Sequence, residues 1–169
     1  ATTGKVDGGA AFSGTAQYFQ LSDSSALSPG SGDFTVSTWV KTSVLNSATH
    51  WIWQDYGTNG NDLTLLRLTA NKFEAFFRDG GGDFANASQT TALSTGTWYY
   101  VTAVRNGTTA RIYLNGTQEN TNTNALMDTI TTNGSKPPAI GAYTFDLPTT
   151  YLWNGSIDEI RASNTARSA

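Results

Sequence analysis

The apolar residues of this chain fall into short runs that alternate with polar ones, and Gly, Asn and Asp break the runs every few residues. "FTVSTWVK" (34–41), "LTLLRLT" (63–69) and "KFEAFFR" (72–78) set the pattern. A period of two suits a strand with one buried face; a helix needs apolar residues every three or four positions. Asn-Gly, which tolerates the positive φ angles of tight hairpins, occurs at 59–60, 106–107, 115–116, 133–134 and 154–155. "FTVSTWVK" lies within the run 33–42, and the remaining strand-like runs are 10–14, 17–21, 50–54, 87–93, 98–105, 110–116, 138–143 and 155–163. Asn71 and Lys72 turn the chain between "LTLLRLT" and "KFEAFFR". So many short strands predict an all-β, two-sheet antiparallel β-sandwich over 1–169, with no composition break to mark a second domain.

The segment 117–137 is long and polar, and reads as a loop pinned over one sheet by Leu126, Met127 and Ile130. The first and last strands are expected to pair and bring the two ends together, a geometry that suits a module carried by a larger protein.

Composition excludes several classes of function. Net charge is −3 and the pI is near 4.9, so no basic stripe stands ready to displace counterions from phosphate, and no nucleic acid is expected. No apolar run approaches the ~20 residues that span a bilayer. The N-terminal "ATTGKVDGGAAF" has no signal-peptide pattern, as in a mature or excised secreted domain. With no cysteine there are no disulfides, thiolate ligands or cysteine nucleophiles. Charged residues are 14%, against about a quarter in average domains, with Gly, Ser, Thr and Asn in their place. This balance suits a secreted or cell-surface bacterial protein.

Three segments in order carry a family resemblance: "GKVDGGAAFSGTAQYFQLSDSSALSPGSGDFTVSTWVKTS" (4–43), "GTWYYVTAVRNGTTARIYLNGTQ" (96–118), and "AIGAYTF" with "YLWNGSIDEIRASNTARS" near the C-terminus. Together they resemble the laminin-G-like, concanavalin A-type jelly roll of secreted bacterial proteins. That resemblance implies a structural calcium where the first and last strands meet, with Asp158 as its carboxylate and Asp7 as companion. The alternative at this position is that Asp158 hydrogen-bonds a neighbouring loop while Glu159 pairs with Arg161.

The fold hosts hydrolases, lyases and binding modules alike, so function must come from the site. Glycoside hydrolysis needs two carboxylates facing one another across a cleft. The Glu-x-Asp-x-x-Glu run of the hydrolytic relatives is missing, adjacent Asp158 and Glu159 point to opposite faces, and Glu74 and Asp79 lack the spacing of a dyad. A lyase would draw on the single His50 with Gln54 and Tyr113, but the Gln-x-His order of the lyase relatives is not found.

Carbohydrate recognition asks for aromatic rings beside amide, carboxylate and guanidinium groups. Taking Ile52 as the core residue of its strand turns Trp51 and Trp53 outward. The same alternation exposes Phe76 with Arg78, and Tyr113 with Arg111. Trp39 and Arg67 join this outer set, although Trp39 belongs to the family's own pattern and reads as structural. Loops at one rim add Asp55, Tyr56, Asn59, Asp79, Asp83 and Tyr143, while Trp153 reads as core. The expected function is a non-catalytic, lectin-like module that binds poly- or oligosaccharide within a larger protein. Its rivals are an adhesive or protein-binding domain that uses the same rings, and a polysaccharide lyase centred on His50 and Tyr113.

Overall fold

The computed structural model describes residues 2–132, 136–144 and 150–167. The Asn133-Gly134 pair lies outside the described residues. Thirteen strands follow one another: β1 (Thr2–Thr3), β2 (Gly8–Ser13), β3 (Phe19–Gln20), β4 (Phe34–Thr42), β5 (His50–Tyr56), β6 (Leu63–Thr69), β7 (Lys72–Arg78), β8 (Phe84–Ser88), β9 (Trp98–Asn106), β10 (Thr109–Leu114), β11 (Thr117–Thr123), β12 (Ala139–Ile140) and β13 (Asn154–Ser163). The one helical element among the described residues is a 3-10 turn, Ser25–Leu27. None of them forms a helix long and apolar enough to cross a membrane.

The strands form two antiparallel sheets, one ordered β1-β2-β13-β4-β9-β10-β11 and the other β3-β12-β5-β6-β7-β8. Alternation explains the layer between them. Phe34, Val36 and Val40 of β4, Val101 and Ala103 of β9, and Ile112 and Leu114 of β10 face Ile52, Leu66, Leu68, Phe73, Ala75 and Phe77 of the second sheet, all buried in one cluster. Trp153 is fully buried among them, as its position before β13 suggested.

Turn chemistry fixes the hairpins. Ala70 and Asn71 (φ 49° and 62°) turn β6 into β7, and Asn115 and Gly116 (φ 51° and 88°) turn β10 into β11, both in the left-handed pair that such turns require. Asn154-Gly155 is a different case. It lies inside β13, and a Cβ on Gly155 would overlap the Lys41 carbonyl oxygen of the adjoining strand.

Three expectations need correcting. The 87–93 run is not a strand; β8 ends at Ser88, and Gln89 instead turns in to receive the Phe73 amide. Residues 117–123 are not loop but the edge strand β11, polar on both faces because water reaches both. Within the rest of that segment Met127 and Ile130 are buried, but Leu126 is 73% exposed and pins nothing.

The two ends meet as expected, with β2 paired to β13 from Asn154 opposite Ser13 to Ile157 opposite Ala10. At the other end of β9, buried Arg105 gathers the loops. Its guanidinium donates to the carbonyls of Gly30 (2.7 Å), Gly32 (2.9 Å), Gly107 (3.0 Å) and Asp128 (2.6 Å).

Candidate functional site

Register lays out the outer face of the six-stranded sheet in three rows. Trp51, Arg67, Glu74 and Ser88 form the first, Gln54, Leu65, Phe76 and Asn86 the second, and Tyr56, Leu63, Arg78 and Phe84 the third. Glu74 is the hub. One carboxylate oxygen receives Nε and Nη2 of Arg67; the other receives Nδ2 of Asn86 (3.1 Å) and Oγ of Ser88 (3.0 Å). Only 6% of Glu74 is exposed, so these donors take the place of water around its carboxylate oxygens. The Arg67 guanidinium also lies 5.4 Å from the centre of the Phe76 ring, and Phe76 stacks on the exposed Phe84 at 5.2 Å.

An aromatic cluster adjoins the first row. Trp51 is stacked between Tyr56 (6.1 Å, 11°) and Tyr151 (5.7 Å, 12°), with Tyr143 edge-on at 4.7 Å. Tyr151 is held with φ at 51°, unusual for a bulky side chain, while its carbonyl accepts the Trp51 amide (2.8 Å). At 49% exposed it is the most open ring of the cluster.

This geometry corrects the alternation read from sequence. The pairing of β5 with β6 slips between Trp51 and Trp53, and the bulge sends Ile52 and Trp53 to the same side. Trp53 is therefore a core residue, 2% exposed, with Nε1 donating to Thr64 Oγ1 (3.1 Å). Trp51 does face outward, but its neighbours cover it to 4% exposure, so it supports Tyr151 instead of meeting a ligand.

The other expected residues are dispersed. Phe76 and Arg78 share the six-stranded face, although Arg78 is engaged with the carbonyls of Gly60 and Asn61. Tyr113 and Arg111 lie on β10, so they belong to the outer face of the opposite sheet. Asp79 is buried at the rim, where it receives the amides of Asp83 (3.0 Å) and Asp128 (2.8 Å). Asp55 is fully buried beside Thr132, whose hydroxyl donates to Oδ2, while Oδ1 has no partner. Burial, opposed by the Thr132 hydrogen bond, pushes the Asp55 carboxyl up to about 8. Neither acid is open to a sugar. Sequence reasoning missed Asn86, Ser88, Phe84 and Tyr151, because their importance comes from cross-strand register and from a left-handed turn.

A family model for the concanavalin A-like lectin/glucanases superfamily, of laminin-G type, matches residues 13–169. The chain belongs to that superfamily. No curated protein matches the chain by sequence. Solved structures share the fold: a heptameric SAP-like pentraxin from Limulus polyphemus (18% identity, TM-score 0.70, 93% of this chain and 76% of that one) and the mouse laminin alpha1 LG4-5 domains (16%, 0.72, 95% and 42%). The CBM40 of a Ruminococcus gnavus IT-sialidase, solved with alpha2,3 sialyllactose, covers 90% of this chain and 92% of its own at 14% identity and TM-score 0.68.

The calcium that membership in the superfamily implies does not fit the residues at β13. Asp158 Oδ2 receives the amides of Lys5 (2.8 Å) and Val6 (2.9 Å), and Oδ1 receives that of Glu159 (2.9 Å). Three N–H dipoles present positive charge where a cation would sit, and calcium needs oxygen ligands. No cluster of three or more carboxylate or imidazole ligands forms among the described residues. Asp7 is exposed in the turn that Asp158 closes, and Glu159 pairs with Arg161 at 3.3 Å. Asp158 is a clamp on the N-terminal turn. The lyase arrangement fails on geometry too, because His50 lies on β5 of one sheet and Tyr113 on β10 of the other. Both His50 ring nitrogens are engaged, with the Leu152 carbonyl (2.8 Å) and Asn46 Oδ1 (3.3 Å).

Proposed function

We propose that the protein is a non-catalytic carbohydrate-binding module whose glycan lies on the outer face of the six-stranded sheet. The observation that carries this reading is the Glu74 hub: carboxylate, guanidinium, amide and hydroxyl joined in one network and flanked by exposed rings. A sugar offers C–H faces to rings and hydroxyls to such groups, so Tyr151 and Phe84 supply the stacking surfaces and Arg67, Asn86 and Ser88 the polar contacts. Each ring contributes on the order of 1 kcal/mol beyond the area it covers, which makes single-site binding modest and favours tandem display. The structural likeness to a sialidase module solved with sialyllactose agrees with this assignment. A place in a secreted or cell-surface bacterial protein, beside further domains, accords with the composition.

The test is a panel of neutral and sialylated oligosaccharides titrated calorimetrically against the intact chain, Tyr151→Ala, Phe84→Ala and Asn86→Ala. At least one glycan should bind, and each substitution should weaken it by about tenfold, the equivalent of one lost stacking or hydrogen-bonding contact. Absence of binding across the panel, or binding of a neutral oligosaccharide that survives the paired Tyr151 and Phe84 substitutions, overturns the reading.

A further inference from the structure

The outer face of the seven-stranded sheet is built differently. Its rows run Asp158, Trp39, Tyr100; then Arg161, Ser37, Thr102, Tyr113; then Ser163, Thr35, Val104, Arg111. Two adjoining clefts lie over them. One of about 350 Å³ is lined by Trp39, Tyr100, Glu159 and Arg161, among others; the second, of about 490 Å³, holds Ser37, Arg167 and the same Tyr100 and Arg161. Each falls within the ~300–1,000 Å³ usual for small-ligand sites. The Trp39 and Tyr100 rings stand 5.2 Å apart, tilted by 50°. The Thr102 hydroxyl, between Ser37 and Tyr113 in the register, is buried with no hydrogen-bond partner.

Charge separates this face from the rest of an acidic chain. Lys5, Lys41, Arg111, Arg161 and Arg167 are five of the ten basic residues, and all project from this sheet or the segments bound to it. Lys5 lies over the Trp39 ring (5.0 Å) and Lys41 over Trp98 (4.9 Å), while Arg167 donates to the Ser163 hydroxyl. Among the described residues the only ion pair here joins Arg161 to Glu159, at 3.3 Å and largely in solvent. Of the other nearby acids, Asp158 binds backbone amides and Glu119 of the edge strand turns to Thr90 and Thr91, while Asp7 is exposed in the turn beside Lys5. Aromatic rings, exposed guanidinium groups and hydroxyls along a shallow trough match a ligand that has both C–H faces and negative charge.

We propose that this trough is a second ligand site, separate from the six-stranded face, and that it takes an acidic saccharide. The rings of Trp39 and Tyr100 receive a sugar face, Arg161 and Arg167 receive its carboxylate or sulfate, and Ser37 receives a hydroxyl. Glu159 competes with the ligand for Arg161.

The experiment titrates the intact chain with a galacturonate tetrasaccharide, which carries carboxylates alone, and with a chondroitin sulfate hexasaccharide, which adds sulfate. Tighter binding of the first assigns the anion to carboxylate, and tighter binding of the second to sulfate. Arg161→Gln and Arg167→Gln, both exposed and expected to fold, should each weaken binding about tenfold. Tyr100→Ala should do the same at unchanged melting temperature, and Glu159→Gln should strengthen binding several-fold by releasing Arg161. Tyr151→Ala and Phe84→Ala should leave it unaltered, which separates this site from the one proposed above. The inference is overturned if neither probe binds, if the Tyr151 or Phe84 variants abolish binding, or if polyglutamate binds equally well and is indifferent to Tyr100.

Discussion

The two outer faces of the sandwich arrange the same side-chain chemistry in different ways. On the six-stranded face the rings pack on one another: Trp51 is enclosed by Tyr56, Tyr143 and Tyr151, and Arg67 is bound into the Glu74 network. On the seven-stranded face Trp39 and Tyr100 border open clefts, and four of five cations have no carboxylate partner among the described residues. An aromatic on a sheet's outer face can thus be covered by its neighbours, as Trp51 is, or border an open cleft, as Trp39 and Tyr100 do, and only those neighbours decide which.

The most severe way to break this comparison is to cross from face to core. Trp53→Ala, which empties a site between the sheets, should cost about 4 kcal/mol, whereas Trp39→Ala should cost about 1 kcal/mol. Denaturant midpoints for the two variants measure the difference, and equal losses would mean that Trp39 is as structural as Trp53. Next in size is Asp158. Its replacement by Ala leaves three amides without a partner and should cost about 3 kcal/mol. Chelators should leave the melting temperature of the parent chain unchanged, since amides and not a cation satisfy that carboxylate.

Asp55 sharpens the comparison from within the core. Its carboxyl ionises near 3.8 in the unfolded chain and about 8 when folded. Between those values the unfolded state has already released the proton that the folded state keeps, so stability must fall as pH rises from about 4 to 8. Asp55→Asn removes that slope and should leave the chain more stable at pH 8, by ~3 kcal/mol. Melting temperatures of both chains across this range test it; parallel curves would show that Asp55 does not titrate there.

The smallest effect is expected at Glu119, which joins the edge of one sheet to the loop beyond β8. Although desolvation acts against it, hydrogen bonds from Thr91 and Thr90 bring its carboxyl down from 4.5 to about 2. Its contribution is complete above 4.5 and disappears as pH falls toward 2, so Glu119→Gln should lose only that acidic branch of the stability profile.

Much of this architecture was legible in the sequence, and the failures have physical causes. Alternation located β6 and β7 to the residue and sent Glu74, Phe76 and Arg78 to the outer face. It missed β11 because an edge strand wetted on both sides has no apolar period, although Asn115-Gly116 announced its hairpin. It misplaced Trp53 because a one-residue bulge leaves no trace in the pattern of apolar residues. It joined Tyr113 and Arg111 to Phe76 because parity distinguishes inside from outside but not one sheet from the other. The Glu74 hub needs three strands in register, β6, β7 and β8, which no single run of residues displays.

The pairing of β2 with β13 has a mechanical consequence. Gly8 and the far half of β13 lie at the same end of an antiparallel pair, so tension applied through Thr2 and Arg167 pulls the two strands apart bond by bond instead of sliding them past each other. The pairing of Thr2 and Thr3 with Gly9 and Gly8 and the bonds of Thr35 to Thr165 and Arg167 bear that load first, and behind them stand the amides of Lys5 and Val6 on Asp158. A chain tethered through both ends would therefore open bond by bond from that end, and yield at low force.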